Sequence, residues 1–486
     1  MVFSSPIFLL VFLPIFLACY YLAPAHGNAR NGVALLGSVL FFAWGEPVYV
    51  FLLIGSTVFD YQIAKAVCPG SGLAPSTRRL LVALSITLNV GLLLYFKYYN
   101  FLLEQLQPLL GMTPSGHEVV FLLGISFITF HKISFIVDIH TGRAQVPRTV
   151  FDCALYLFLF PQLIAGPIIR FHDIGSQIVA RHHSVGKVLS GLQMFSIGLA
   201  KKVLIADPLG RVADQVFALP PDGVPTVYAW GGVLAYTFQI YFDFSGYSEM
   251  AIGLGRLMGF EFPVNFNQPY LARSITEFWQ RWHITLSKWM RLYLYIPLGG
   301  NRVSPLHNYV NLWIVFLISG FWHGANWTFV IWGAYYGFFL SMEKALDGRI
   351  AVPSWAPVRQ LATFLVVVVG WVLFRSASFA QAMAMLRAMA GFTGASLDNA
   401  IPWGWLFDDR ALFTLGLAAV ISLLPLSQLL RPRWWQIKGS MSVAGYGGLV
   451  LLLPMIGSFG VTAILLFAAV ASLISLGYTP FLYFRF

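Results

Sequence analysis

Residues 80–98 read LLVALSITLNVGLLLYFKY, and comparable apolar runs recur along the whole chain of 486 residues. Each approaches the ~20 residues that an α-helix needs to cross the hydrocarbon core of a bilayer. Such stretches lie near 5–23, 32–45, 47–66, 80–98, 119–139, 152–169 and 186–206, and again near 226–250, 308–322, 326–346, 359–376, 411–430 and 443–475. Only 10% of the residues are charged, against 58% hydrophobic, and the mean hydropathy is +0.74. A soluble protein of this length needs more charge to cover its surface. The expectation is an all-α, polytopic integral membrane protein with about 11–13 crossings, organised as one transmembrane domain over 1–486.

The first run is longer than the apolar part of a secretory signal and has no basic stretch before it, so it reads as a retained span. Cys19, Cys68 and Cys153 sit in or beside spans. Their number and spacing give neither a disulfide framework nor a metal site, and they read as membrane-core thiols. The net charge of +11 comes from 30 Lys and Arg against 19 Asp and Glu. In a membrane protein this balance points to positive-inside loops and anionic lipid head groups, not to nucleic acid. Arg30, Lys65, Arg78, Arg79, Arg143 and Arg148 all fall on one side if the amino terminus is extracytoplasmic and the WGEP turn at 44–47 joins two spans tightly.

Two stretches interrupt the apolar pattern. FPQLIAGPIIR (160–170) places Pro161, Gly166 and Pro167 inside one run, and 251–270 is rich in Gly, Pro and polar residues. Non-helical backbone at membrane depth survives only when buried in protein or lining a watered cavity. The expectation is re-entrant and interfacial helices within a ring of spans around a central funnel or tunnel; ordinary kinks and surface loops are the alternative.

The segment 273–302, RSITEFWQRWHITLSKWMRLYLYIPLGGNR, holds an amphipathic helix read over 276–293. On a wheel Glu277, Arg281, Lys288 and Arg291 share a narrow face, and Phe278, Trp282, Leu286, Trp289 and Tyr293 share another. Basic and aromatic faces together suit a membrane interface. The three cations fit either the phosphates of a nucleotide-bearing donor or lipid head groups. A third strip, Thr276, Gln280, His283 and Ser287, has no role in that arrangement; His283 either serves a site or bonds a nearby carbonyl.

GFWHGANWTF (320–329) puts His323 between tryptophans in an apolar setting. Ionisable groups inside spans are costly and usually mark function. Gly320 and Gly324 allow close approach, while Asn326 and Trp327, at i+3 and i+4, are expected on the face of His323. A buried, neutral imidazole is suited to general-base work on a hydroxyl, with Trp322 and Trp327 excluding water. A histidine satisfied within the core is the competing reading. In FQIYFDFSGYSEMAIGLG (238–255), Gln239, Asp243, Ser245, Tyr247 and Glu249 interrupt a span. They read as chamber lining or as a buried network, with Arg256, Arg273 and Arg281 as candidate partners.

FWQRWHITLSKWMRLYLYIPLGGNR followed by GFWHGANWTFVIWGAYYG, with QLIAGPIIR, YFDFSGYSEMAIGLG and the terminal FLYFRF, resembles the membrane-bound O-acyltransferase family. The likeness is to its bacterial branch of polysaccharide acetylators and teichoic-acid D-alanylators and covers essentially the whole chain. His131 and His140 depart from the family pattern. The resemblance implies that His323 and His283 are the paired catalytic histidines, and that no cofactor is bound. It implies acetyl-CoA as the donor and a periplasmic acetyltransferase partner that modifies an exported polysaccharide such as alginate. Membrane lipids surround the protein, which is placed in the bacterial inner membrane with its amino terminus in the periplasm. Rival expectations are an acyl group drawn from a carrier-protein thioester, a transporter of polymer or lipid, and a scaffold that recruits a soluble enzyme.

Overall fold

The computed structural model describes residues 1–24, 28–111, 118–220, 223–346, 355–393, 402–425, 448–477 and 481–482. A π turn at Phe8–Phe12 leads into α1 (Leu13–Leu22), followed by α2 (Ala29–Ala43), α3 (Tyr49–Val67) and α4 (Pro75–Leu93). Another π turn, Leu94–Tyr98, carries α4 into α5 (Tyr99–Leu110). Then come α6 (Ile125–His140), α7 (Val150–Phe158), α8 (Phe160–Leu163), α9 (Phe171–Val179) and α10 (Val185–Ala200). The π turn Lys201–Ala206 joins α10 to α11 (Asp207–Phe217), and α12 (Thr226–Leu257) follows with 32 residues. After it lie α13 (Ile275–Arg281), α14 (Ile284–Met290), α15 (Pro305–His323), α16 (Trp327–Leu346) and α17 (Ala356–Arg375). The series ends with α18 (Phe379–Met389), α19 (Trp403–Leu406), α20 (Asp409–Leu423) and α21 (Gly448–Leu476).

The protein is all-α, with no strand among the described residues. Four stretches among them are long and apolar enough to cross a membrane by length and composition: Tyr49–Val67, Pro75–Leu109, Val185–Phe217 and Ala356–Arg375. Shorter apolar helices run over Phe8–Leu22, Ala29–Ala43 and Phe459–Ser475. The run at 152–169 stops at Leu159, whose ψ of 107° ends α7, and resumes as α8 and an extended, buried segment. Pro161 cannot donate a backbone bond there, and Gly166 takes φ +105° against Tyr247 and Ala251, a conformation open to glycine. Residues 426–430 and 443–447 of the two final runs lie outside the described residues, as do 483–486 of the terminal motif.

Helices meet through small residues. In the antiparallel pair α10 and α12, Gly191 faces Gly253 and Gly198 faces Gly246. A Cβ on Gly246 would lie 2.6 Å from the Gly198 carbonyl oxygen, and one on Gly253 would lie 2.6 Å from that of Gly191. Without a hydrophobic force between helices in lipid, backbone approach of this kind supplies the packing. Gly320 of α15 and Gly333 of α16 form a second close crossing, which brings the end of α15 against α16. One apolar cluster runs through the described core from Phe3 to Leu482. Inside it Lys132 of α6 pairs with Asp60 of α3 at 3.1 Å, and Ser85 and Asn89 of α4 donate to the same carboxylate.

Candidate active site

His323 is the last residue of α15 and is 4% exposed. Gly324 turns the chain to φ −165°, which ends the helix there. The imidazole is boxed by aromatic edges: Trp322 at 4.9 Å, Trp332 at 5.1 Å and Phe374 at 5.2 Å between ring centres. Helix ends leave carbonyls without partners. Here Lys97, in the π turn after α4, donates from Nζ to the carbonyls of Trp322 (2.7 Å) and His323 (3.0 Å). A cation at the carboxyl end of a helix also meets the negative end of its dipole.

His283 is fully buried and sits between α13 and α14 in left-handed backbone, φ 42° and ψ 53°. Its Nδ1 lies 3.1 Å from Oδ1 of Asn265, and its Nε2 has no hydrogen-bond partner among the described residues. The rings of Phe244 (4.7 Å) and Trp322 (6.4 Å) flank it. Trp322 thus stands in ring contact with both histidines, and it stacks on Phe130 at 4.9 Å.

Several expected neighbours lie elsewhere. Because α15 stops at His323 and α16 starts at Trp327, the i+3 and i+4 relation fails. Asn326 donates to the carbonyl of Ala377, and Trp327 is 56% exposed with its indole on Gln105. Trp332 and Phe374 provide the enclosure expected of Trp327. The single helix expected over 276–293 is broken at Trp282 and His283, so its wheel does not hold. Phe278, Trp282 and Trp289 are buried in the core and not at an interface. Arg281 is paired with Glu277 at 2.8 Å, Ser287 donates to the carbonyl of Trp279, and Lys288 and Arg291 are exposed.

The cluster on α12 forms a buried network, as one of the two readings had it, but with other partners than expected. α12 runs unbroken through Gln239, Asp243, Ser245, Tyr247 and Glu249 because internal partners meet its charges. Those partners are not arginines: Lys202 pairs with Asp243 at 2.7 Å and Asp207 at 2.8 Å, and Lys201 pairs with Glu249. Arg256 instead meets Glu261, and the backbone N–H of Arg273 meets Glu277. Gln239 is buried against Gly210, and Ser245 is buried with no bond from Oγ among the described residues. Asp243 also accepts the backbone N–H of Leu482 at 2.7 Å. Tyr247 stacks on both Phe3 (4.7 Å) and Phe481 (4.6 Å). Phe244, between these residues, carries this network to His283.

Residues 80–385 match the membrane-bound O-acyltransferase (MBOAT) family, a stretch that holds both histidines and Asn265. The chain belongs to that family. Relatives lie in bacteria. A Pseudomonas putida protein named "Probable alginate O-acetylase AlgI" is 42% identical over the full length of both chains. Its Pseudomonas aeruginosa namesake is 46% identical over 81% of this chain and 75% of its own. A Helicobacter pylori protein named peptidoglycan O-acetyltransferase is 38% identical over 82% of this chain and 81% of its own. As an MBOAT protein the chain is a membrane-embedded O-acyltransferase. Asn265, Lys97, Trp332 and Phe244 were not singled out by sequence. Of these, Lys97 carried a usable signal, a lone cation inside an apolar run.

Proposed function

We propose that the protein moves an acetyl group from acetyl-CoA on the cytoplasmic face to an acceptor hydroxyl reached from the other face. The acetyl group goes on, through a periplasmic partner protein, to an exported polysaccharide such as alginate. The observation that carries this is the pair of buried histidines around Trp322, in a core otherwise closed by aromatic rings. The names borne by relatives over most of their length support the acetyl group and the polysaccharide. The basic loops support an amino terminus in the periplasm, and the bacterial relatives support the inner membrane as the protein's site.

His323 removes the proton of the acceptor hydroxyl as its oxygen attacks the thioester carbonyl. A C–O bond forms, the C–S bond breaks, and the departing thiolate takes the proton back from the imidazolium, leaving an ester and free CoA. Positioned base catalysis of this kind gives about 10²–10⁴-fold, and holding both reactants together contributes as much or more. His283 holds the substrate beside it. Dry aromatic walls at Trp322, Trp332 and Phe374 limit hydrolysis of the thioester.

Inside-out vesicles carrying the protein and its periplasmic partners, supplied with acetyl-labelled CoA outside, test this. Label is expected in a lumenal ester with the wild type and to fall on the order of 10²-fold or more in His323→Ala. Wild-type transfer by a folded His323→Ala protein would remove His323 from the chemistry. Absence of any labelled ester with the wild type would end the acetyl-transfer reading.

A further inference from the structure

Asn265 lies in the non-helical segment after α12, 1% exposed, and both polar atoms of its side chain are engaged. Its Nδ2 donates to Ser248 Oγ at 3.1 Å and to the carbonyl of Gly166 at 3.4 Å. A carbonyl only accepts, so the atom facing Gly166 is nitrogen and the other atom is oxygen. The opposite side agrees: Oδ1 receives the backbone N–H of Thr285 at 3.3 Å and Thr285 Oγ1 at 2.8 Å. The Thr285 hydroxyl has its own direction fixed, because it accepts the N–H of Ile168 at 2.9 Å and has its proton left to give. The backbone of Asn265 closes the arrangement by accepting the N–H of Ile284 at 2.9 Å, which ties the left-handed turn at His283 to the same residue.

An atom that accepts from Thr285 also accepts from the imidazole. His283 Nδ1, 3.1 Å from Oδ1, therefore carries hydrogen. In a neutral ring Nε2 is then a bare acceptor, and it is the nitrogen with no partner among the described residues. We propose that Asn265, locked by Thr285, is a positioning residue that fixes His283 as the Nδ1–H tautomer, so that Nε2 receives a hydrogen bond from a hydroxyl or amide N–H of the substrate. The His283 site thereby selects a donor group and discriminates against a carbonyl or carboxylate oxygen at the same place. The identity of the substrate rests on the acetyl-transfer reading above; the tautomer does not.

Full-length protein with ¹⁵N-labelled histidine, in lipid nanodiscs near pH 7.5, gives the decisive spectrum. The His283 signal, assigned by its loss in His283→Ala, is expected to show a protonated Nδ1 and an unprotonated Nε2. In Asn265→Leu the proton is expected to move to Nε2. In the vesicle assay Asn265→Leu is expected to lower turnover on the order of 10²-fold, while the KM for acetyl-CoA stays within about threefold. Asn265→Asp keeps the acceptor oxygen and is expected to restore most of the turnover. Thr285→Val against Thr285→Ser repeats the comparison should the Leu variant fail to fold: loss in the first and retention in the second are expected. An Nε2–H signal in the wild type overturns the proposal, as does full turnover in a folded Asn265→Leu protein. A wild type with the expected spectrum and no acetyl transfer keeps the tautomer and discards the reaction.

Discussion

A charged side chain inside lipid has to be answered by another, and two such answers are visible at single residues. Asp60 and Lys132 are both essentially inaccessible, and they meet at 3.1 Å. Removing one partner of a buried pair costs about 3–5 kcal/mol, because the other charge is stranded, while replacing both costs far less. Lys132→Met is therefore expected to lower the thermal midpoint in detergent more than the double change Lys132→Met with Asp60→Leu. A double variant as unstable as the single one would show that the pair adds nothing as a pair. At this scale the sequence was legible in type and not in partner. His323 and His283 announced themselves as expensive residues in apolar settings, and both are buried around one tryptophan. Partners for Asp243 and Glu249 were sought among arginines near in sequence, yet they are lysines of the π turn between α10 and α11. No spacing rule reaches across a helix pair.

Elements explain why the helical wheel of 276–293 failed while the helix bounds at 308–322 and 326–346 held. Long apolar runs ended by glycine or proline mark their own limits, so α15 and α16 lie within a few residues of expectation. The break at Trp282 and His283 is imposed from outside, by Asn265 and the backbone bonds it makes, and the local sequence carries no proline or glycine to signal it. The close seam between α10 and α12 is the opposite case, since its four glycines recur at matching intervals. Gly246→Val would press a side chain onto the carbonyl of Gly198, 2.6 Å from where its Cβ must go. Overpacking costs about 1–3 kcal/mol or more, so a clear drop in thermal midpoint is expected. Gly55→Ala, where nothing lies within 4 Å of the added carbon, is expected to be neutral. Equal effects from the two changes would mean that the seam is not under tension.

The whole molecule is tied across its length by polar contacts at helix ends as well as by its core. Tyr20 of α1 donates to the carbonyl of Met258, beyond α12, and it also meets His183 at 2.9 Å and Arg181 at 2.9 Å. Burial first, then the nearby Arg30 and Arg181 cations, hold the His183 imidazole below its ordinary range. The unfolded chain then binds more protons at acid pH than the folded one, so this contact supports the fold above the ordinary histidine range near pH 6.5 and loses its contribution as the pH falls below it. A thermal midpoint that declines from pH 7.5 to pH 5 is expected, with a shallower decline in His183→Gln; parallel curves would exclude His183 as a contributor. The overall class, helical and membrane-embedded, was readable from the long runs alone. The tie between α1 and the segment beyond α12 was not, because hydropathy does not pair residues distant in sequence.

The contact of Leu482 with Asp243, and of Phe481 with Tyr247, has a consequence in time. Roughly 110 residues of chain separate Phe374 from Phe481, and synthesis at about 5–20 residues per second takes about 5–20 s to supply them. Throughout that interval the helices up to α17 can be inserted while Asp243 still waits for the backbone N–H of Leu482 and one face of the aromatic network stays bare. Each newly made molecule therefore passes through a period in which its centre is assembled but open, and the ribosome, not the membrane, sets how long that period lasts.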